Sequence, residues 1–168
     1  MKKMLWLLPL LLLHCGVYSF RSGSLPPEIK TVYIPIFESE LQGEETNIDI
    51  KERITETLQE EFTRTTRLTL ADEENSDSIF IGSLRRYTRE VANYDESENP
   101  IDYKITLIIK CEFTNLVADQ VIWQQSGFAS FEFYEVDESQ DDLGEEEALE
   151  QLIDKAARDM VIKATENW

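Results

Sequence analysis

Ile101-Asp102-Tyr103-Lys104-Ile105-Thr106-Leu107-Ile108-Ile109-Lys110-Cys111-Glu112-Phe113-Thr114 is the stretch that decides the fold. Ile101, Tyr103, Ile105, Leu107, Ile109, Cys111 and Phe113 form one row; Asp102, Lys104, Thr106, Lys110, Glu112 and Thr114 form the other. Successive side chains of an extended chain point to opposite faces, so this period of two predicts a β-strand with one wet and one buried face. Half-buried strands of this kind belong to antiparallel sheets.

Working outward, Ala92 to Pro100 has turn chemistry, and Ser78 to Val91 before it is a long strand candidate. Gly82 inside that candidate predicts a bulge or bend. Downstream, Leu116 to Gln120 forms a turn and Val121-Ile122-Trp123 starts a returning strand. Phe128 to Val136 continues that strand past Gly127, with Phe131 and Phe133 opposite Glu132 and Tyr134. The three strands make an antiparallel meander.

The flanks supply the second layer. Ile50, Ile54, Leu58 and Phe62 recur every four residues among charged neighbours, which predicts a one-faced helix over roughly 47–63. Thr46 and Asp49 resemble a capping box at its start. At the far end, Leu149, Leu152, Ile153, Ala156, Met160, Val161 and Ala164 share one face of a closing helix. The nine acids between Glu135 and Glu150 read as a solvated loop and a first turn that suits the helix dipole.

Lys30 to Phe37 reads as a first strand, at an edge or ending near Pro35, which has no N–H to give a ladder. Glu38 to Glu45 is a loop, Thr66 to Ala71 a short strand, and Asp72–Asn75 an acidic turn. The order β-α-β-β-β-β-α, with two amphipathic helices to bury, predicts an α+β two-layer sandwich. Its sheet is mainly antiparallel or mixed, with both helices packed on one face.

The first residues place the domain. Lys2 and Lys3 precede ten apolar residues from Met4 to Leu13, too few to span a bilayer but enough for a secretory signal. The run meets Cys15, as in a bacterial lipobox, although His14 stands where a small residue is usual. The expected organisation is a lipoprotein signal peptide over 1–14, an acylated N-terminus and tether over 15–29, and a single periplasmic domain over 30–168.

Composition then narrows the function. Without residues 1–14 the chain has 14 basic against 34 acidic residues, a formal −20. Such a body repels phosphate, so nucleic acid is excluded as a partner, and a covalent anchor suits a membrane protein better than adsorption. His14 is the only histidine and leaves with the signal, which removes Ser-His, Cys-His and His-containing zinc chemistry. Cys111 alone can form no intramolecular disulfide and reads as a small buried hydrophobe. Carboxylate pairs arise by chance among so many acids. Asp137, Glu138, Asp141 and Asp142 lack the spacing that wraps calcium. The chain is therefore expected to be no enzyme and to hold no cofactor or metal.

Three stretches in order carry a family resemblance: Cys15-Gly16-Val17-Tyr18-Ser19-Phe20, Leu25-Pro26-Pro27-Glu28-Ile29-Lys30-Thr31-Val32-Tyr33-Ile34-Pro35-Ile36-Phe37-Glu38, and Tyr103-Lys104-Ile105-Thr106-Leu107 with Asn115-Leu116-Val117-Ala118-Asp119-Gln120-Val121-Ile122-Trp123. Together they resemble the LPS-assembly lipoprotein family LptE. The resemblance implies an outer-membrane lipoprotein, lipid-anchored through Cys15 and facing the periplasm. It would seat in a large partner β-barrel and help deliver lipopolysaccharide to the outer leaflet. Another envelope lipoprotein on a similar scaffold, a cell-wall synthase activator or secretion-channel component, is the alternative. Any contact with lipopolysaccharide needs local positive charge, and Arg85, Arg86 and Arg89 are the candidate lipid-contact residues. On a regular strand Arg85 and Arg89 share a face and Arg86 points the other way. Cross-strand pairing with acids is the other reading of the same cluster.

Overall fold

The computed structural model describes residues 25–41, 47–135 and 141–166, without the side chains of 47–49 and 141–143. The signal segment, Cys15, the tether to residue 24, the Thr46–Asp49 cap and much of the acidic run before the last helix lie outside the described residues. The elements are β1 (Thr31–Tyr33), β2 (Glu38–Ser39), α1 (Asn47–Thr65), β3 (Thr69–Leu70), β4 (Ser78–Tyr94), β5 (Pro100–Asn115), β6 (Gln120–Glu135) and α2 (Asp141–Glu166), with a 3₁₀ turn at Glu73–Asn75. This is the expected α+β sandwich: a mixed six-stranded sheet and two helices.

The strands lie in the order β3-β1-β4-β5-β6, and β2 also pairs with β4. β1 runs parallel to β3 and β4, whereas β4, β5 and β6 are antiparallel. On β5 the predicted apolar row is the buried row from Ile105 to Phe113. The four-residue stripe of α1 (Ile50, Ile54, Leu58, Phe62) and the apolar face of α2 close over the same core. Phe62 sets its edge on Phe80, ring centroids 5.5 Å apart, and lies 5.7 Å from Phe113. Such aromatic pairs add to the burial of their area.

The first strand differs from expectation. Of Lys30 to Phe37 only Thr31–Tyr33 is strand, ending before Pro35, and the next strand, β2, falls inside the predicted loop. Pro35 interrupts the ladder, and α1 takes over the freed backbone groups. Gln59 Nε2 donates to the Ile34 carbonyl at 2.9 Å, and the Phe37 N–H donates to Thr55 Oγ1 at 3.0 Å. The backbone is thus satisfied without sheet pairing.

Gly82 is not a bulge. It pairs in register with Cys111, and a Cβ built there would lie 2.2 Å from the ring of buried Phe37. The glycine makes room for that ring. The first bulge in β4 comes later, between Leu84 and Arg86.

Both helices run the same way. Arg53 of α1 meets Glu146 of α2 at 2.7 Å near their starts. Further along, Phe62 reaches Phe113 near the β5–β6 turn. One end of the molecule therefore carries the helix starts and the β4–β5 turn; the other carries Leu25, the start of β4 and the β5–β6 turn.

Candidate functional site

The arginine stretch is reshaped by the bulge. Leu84 pairs with Ile109 and Arg86 with Ile108, so Arg85 is the extra residue on β4. An inserted residue inverts the alternation that follows. Tyr87 and Arg89 therefore stand opposite the inward residues Leu107 and Ile105. Arg86, opposite Ile108, stays on the sheet face that no helix covers. The expected sharing of one face by Arg85 and Arg89 does not hold, because that reading assumed a regular strand.

Each arginine meets a different fate. Arg85 pairs with Glu40, and this hydrogen bond holds the Glu40 carboxyl below its usual range, with Ser83 Oγ donating to it as well. Arg89 lies with its guanidinium 3.9 Å above the Tyr103 ring, donates to Tyr134 Oη and pairs with Glu145 at 3.1 Å. Tyr87 Oη and Tyr134 Oη donate to the two oxygens of the same Glu145 at 2.9 and 3.1 Å. Burial pushes the Tyr134 hydroxyl up to about 12 and that of Tyr87 higher still. These groups lock the start of α2 to the sheet. Among the described residues no ion pair or hydrogen bond holds the Arg86 side chain. Two of the three arginines thus pair with acids, but not across strands as expected: Glu40 lies just past β2 and Glu145 on α2.

A second feature was not visible in the sequence. On β6, Phe131 and Phe133 face outward, 43% and 49% exposed, while Glu132 and Tyr134 turn towards α2. Both rows of this stretch are bulky, so alternation alone could not say which row faces the core. The two rings meet edge-on at 5.7 Å. Lys104 Nζ lies 4.4 Å from the Phe131 ring centroid, and Lys155 Nζ lies 4.9 Å from it. Registers place Arg86 beside Ile108 and Ala129, and Thr88 beside Thr106 and Phe131. Arg86, Lys104, Lys155, Phe131 and Phe133 thus form a cationic and aromatic strip on an otherwise acidic protein. Such a strip can bind an anionic amphiphile or a partner's acidic, apolar surface.

Nothing else described looks like reaction chemistry. A cleft of about 230 Å³ opens where β1 gives way to β2, lined by Pro35, Ile36, Ile81, Lys110 and Glu112 among others. Cys111 beside it is buried, its thiol pushed up to about 12 by desolvation, as expected of a packing residue. Among the described residues no group of three His, Cys, Asp or Glu could hold a metal ion, and no described helix is long and apolar enough to cross a membrane.

Fold and site together define a one-sided α+β sandwich with one sheet face open. Residues 29–164 match the lipopolysaccharide-assembly family LptE, and the chain belongs to that family. Three solved structures share the fold. A Xanthomonas campestris protein aligns with TM-score 0.61 and 11% identity, over 85% of this chain and 90% of its own. An uncharacterized lipoprotein B from Nitrosomonas europaea aligns with TM-score 0.57 and 15% identity, over 86% of each chain. A minor lipoprotein from Acinetobacter baumannii aligns with TM-score 0.53 and 11% identity, over 80% and 91%. No curated protein matches the sequence.

Proposed function

We propose that this protein is an outer-membrane lipoprotein, anchored by an acylated Cys15 after loss of residues 1–14, with its domain in the periplasm. It seats in a large partner β-barrel, aids that barrel's assembly, and helps pass lipopolysaccharide to the outer leaflet. It acts as a binding and assembly module, not a catalyst. Family membership sets the pathway; the observation that carries the docking surface is the uncovered strip of Arg86, Lys104, Phe131 and Phe133. Aromatic anchors ringed by charge are typical of contact surfaces, and the charges set register and partner choice more than affinity.

Of the candidate lipid-contact residues, Arg86 has an uncommitted charge. Arg85 and Arg89 would have to leave Glu40 and Glu145 to meet a phosphate. Arg86→Glu should therefore weaken capture of lipopolysaccharide without unfolding the domain, whereas Arg89→Glu should first loosen α2.

The deciding experiment places a photo-crosslinking residue at Phe133 and, as control, at exposed Arg158 on α2. Position 133 should capture a large outer-membrane barrel and position 158 should not. Recovery of a murein synthase or a secretion-channel subunit in place of a barrel would overturn the proposal and favour the alternative envelope role. Acyl labelling beside Cys15→Ala tests the anchor separately.

A further inference from the structure

The sheet has a notch where its first strand breaks off. β1 pairs with β4 as far as Tyr33 beside Ile79, and β2 resumes the pairing at Glu38 beside Ser83. Between them the chain detours towards α1, held by Gln59 at the Ile34 carbonyl and by Thr55 at the Phe37 N–H. The cleft of about 230 Å³ opens over β4 at this gap, and Ile36 and Ile81 in its lining are 61% and 43% exposed. Two isoleucines left in water within one cleft mark a contact surface, because strand pairing needs neither of them exposed.

Charge surrounds the notch unevenly. Registers put Glu38, Ser83 and Lys110 in one row across β2, β4 and β5, with Ile81 beside Glu112 in the next row. Glu40 is already engaged by Arg85 and Ser83, and Lys110 adds to the positive field on it. Glu112 accepts the Thr114 hydroxyl at 3.1 Å. Among the described residues neither Glu38 nor Glu112 has an ion-pair partner. The carboxylates of Glu38, Glu40 and Glu112 thus outnumber the cations of Arg85 and Lys110, and a surplus negative charge stands over an apolar notch. Lys110 and Glu112 share the row of β5 that carries Lys104. The notch and the cationic and aromatic strip therefore lie on the same open face, about 27 Å apart along the strand.

We infer that this notch receives one basic side chain, an arginine or lysine, from the partner that docks on the open face. Its aliphatic stem lies between Ile36 and Ile81, and its charged head meets Glu38 and Glu112. The inference deepens the proposed function and rests on it. Size decides against a small molecule: pockets for drug-sized ligands run to roughly 300–1,000 Å³, and this cleft suits a single long side chain. Charge complementarity decides which kind. The surplus carboxylate asks for a cation, and long basic residues cover apolar surface with their stems while the head stays polar. Position decides the source. The strip on the same face meets the partner barrel in that reading, and barrel lumens are lined by polar side chains, so the molecule that covers Phe131 and Phe133 also covers the notch. A cationic strip at one end and an acidic notch at the other then fix the direction in which the domain lies along its partner.

The test measures how much partner barrel co-purifies with the full lipidated chain. Glu38→Gln with Glu112→Gln should lower recovery about tenfold, the loss expected when one anchoring contact is removed. Ile81→Arg, which lays a guanidinium of this chain over the notch, should do the same. Glu52→Gln with Glu56→Gln removes equal charge from the exposed side of α1 and should leave recovery unchanged. Recovery unaffected by the notch carboxylate pair overturns the inference, while capture at Phe133 keeps the barrel reading. An equal loss with the α1 pair overturns it too, since total charge would then be the cause. If position 133 captures no barrel, the barrel reading falls on its own and the notch is judged directly. Acetyl-arginine amide, titrated into the isotope-labelled full chain, should then shift the Ile81, Gly82 and Glu112 amide resonances saturably, and neutral acetyl-citrulline amide should not. Equal responses to the two, or none to either, end the inference.

Discussion

At the residue scale, Gly82 stands where the ring of Phe37 crosses β4 beneath the helices, and no side chain fits between them. Gly82→Ala should cost about 1–3 kcal/mol, the range for overpacking a core, read as a lower urea midpoint with unchanged slope. A midpoint equal to wild type would show that the ring can move aside freely. Ser130 poses the opposite case: its Oγ is buried and has no hydrogen-bond partner among the described residues. Ser130→Ala should stabilise the protein by about 1 kcal/mol, because the desolvated hydroxyl is removed with little loss of packing. A drop in melting temperature would mean the hydroxyl has a partner after all. Asp77 responds to pH. The Lys30 N–H first, and Thr31 with it, hold its carboxyl below the usual aspartate range. A lowered folded value favours the charged form, so its contribution is full above the ordinary aspartate pKa of about 3.9 and disappears as pH falls through the lowered one. Asp77→Asn should flatten this acid limb of the melting-temperature profile. An acid limb superimposable on wild type would refute the assignment.

At the element scale, polar contacts tie the start of α2 to the sheet. Glu145 takes hydrogen bonds from Tyr87 and Tyr134 and an ion pair from Arg89, and among the described side chains of α2 the buried apolar stripe begins at Ala148. Tyr87→Phe removes one hydrogen bond to a charged group, a loss of about 1.5–3 kcal/mol. Amide exchange should quicken in the first two turns of α2 and stay slow around Ala156. Uniform acceleration along the helix would show instead that α2 opens as one unit. The β6 edge is the other element with a local device. Lys155 donates to the Phe131 carbonyl at 2.9 Å and pairs with Glu132, placing a cation on an edge that could otherwise accept another strand.

At the scale of the whole molecule, charge and exposed apolar surface oppose each other. The sequence carries a formal −18 and a pI near 4.3, so copies repel one another at neutral pH despite the exposed Phe131, Phe133, Ile101 and Tyr94. Lowering the pH towards 4.3 removes that repulsion, and light scattering should show self-association. Phe133→Ser should reduce it. Association that is independent of pH would point to a surface other than this strip.

The sequence by itself determined the elements whose signal is local. The β5 alternation, the four-residue stripe of α1 and the apolar face of α2 each need only their own neighbours to be legible, and the sandwich follows from their order. The lipobox-like Cys15 and the family resemblance were legible in the same way. Only the tertiary structure decided that a short strand β2 follows where a loop was expected, that Gly82 accommodates Phe37 and that Phe131 and Phe133 face outward. It also decided that an extra residue at Arg85 scatters the arginine cluster and leaves Arg86 on the open face. The physical reason is range: a strand's register, a bulge, or the partner of an arginine is set by residues some 45 or more positions away, such as Glu40 for Arg85 and Glu145 for Arg89. No local pattern encodes a contact whose other half lies on a different element.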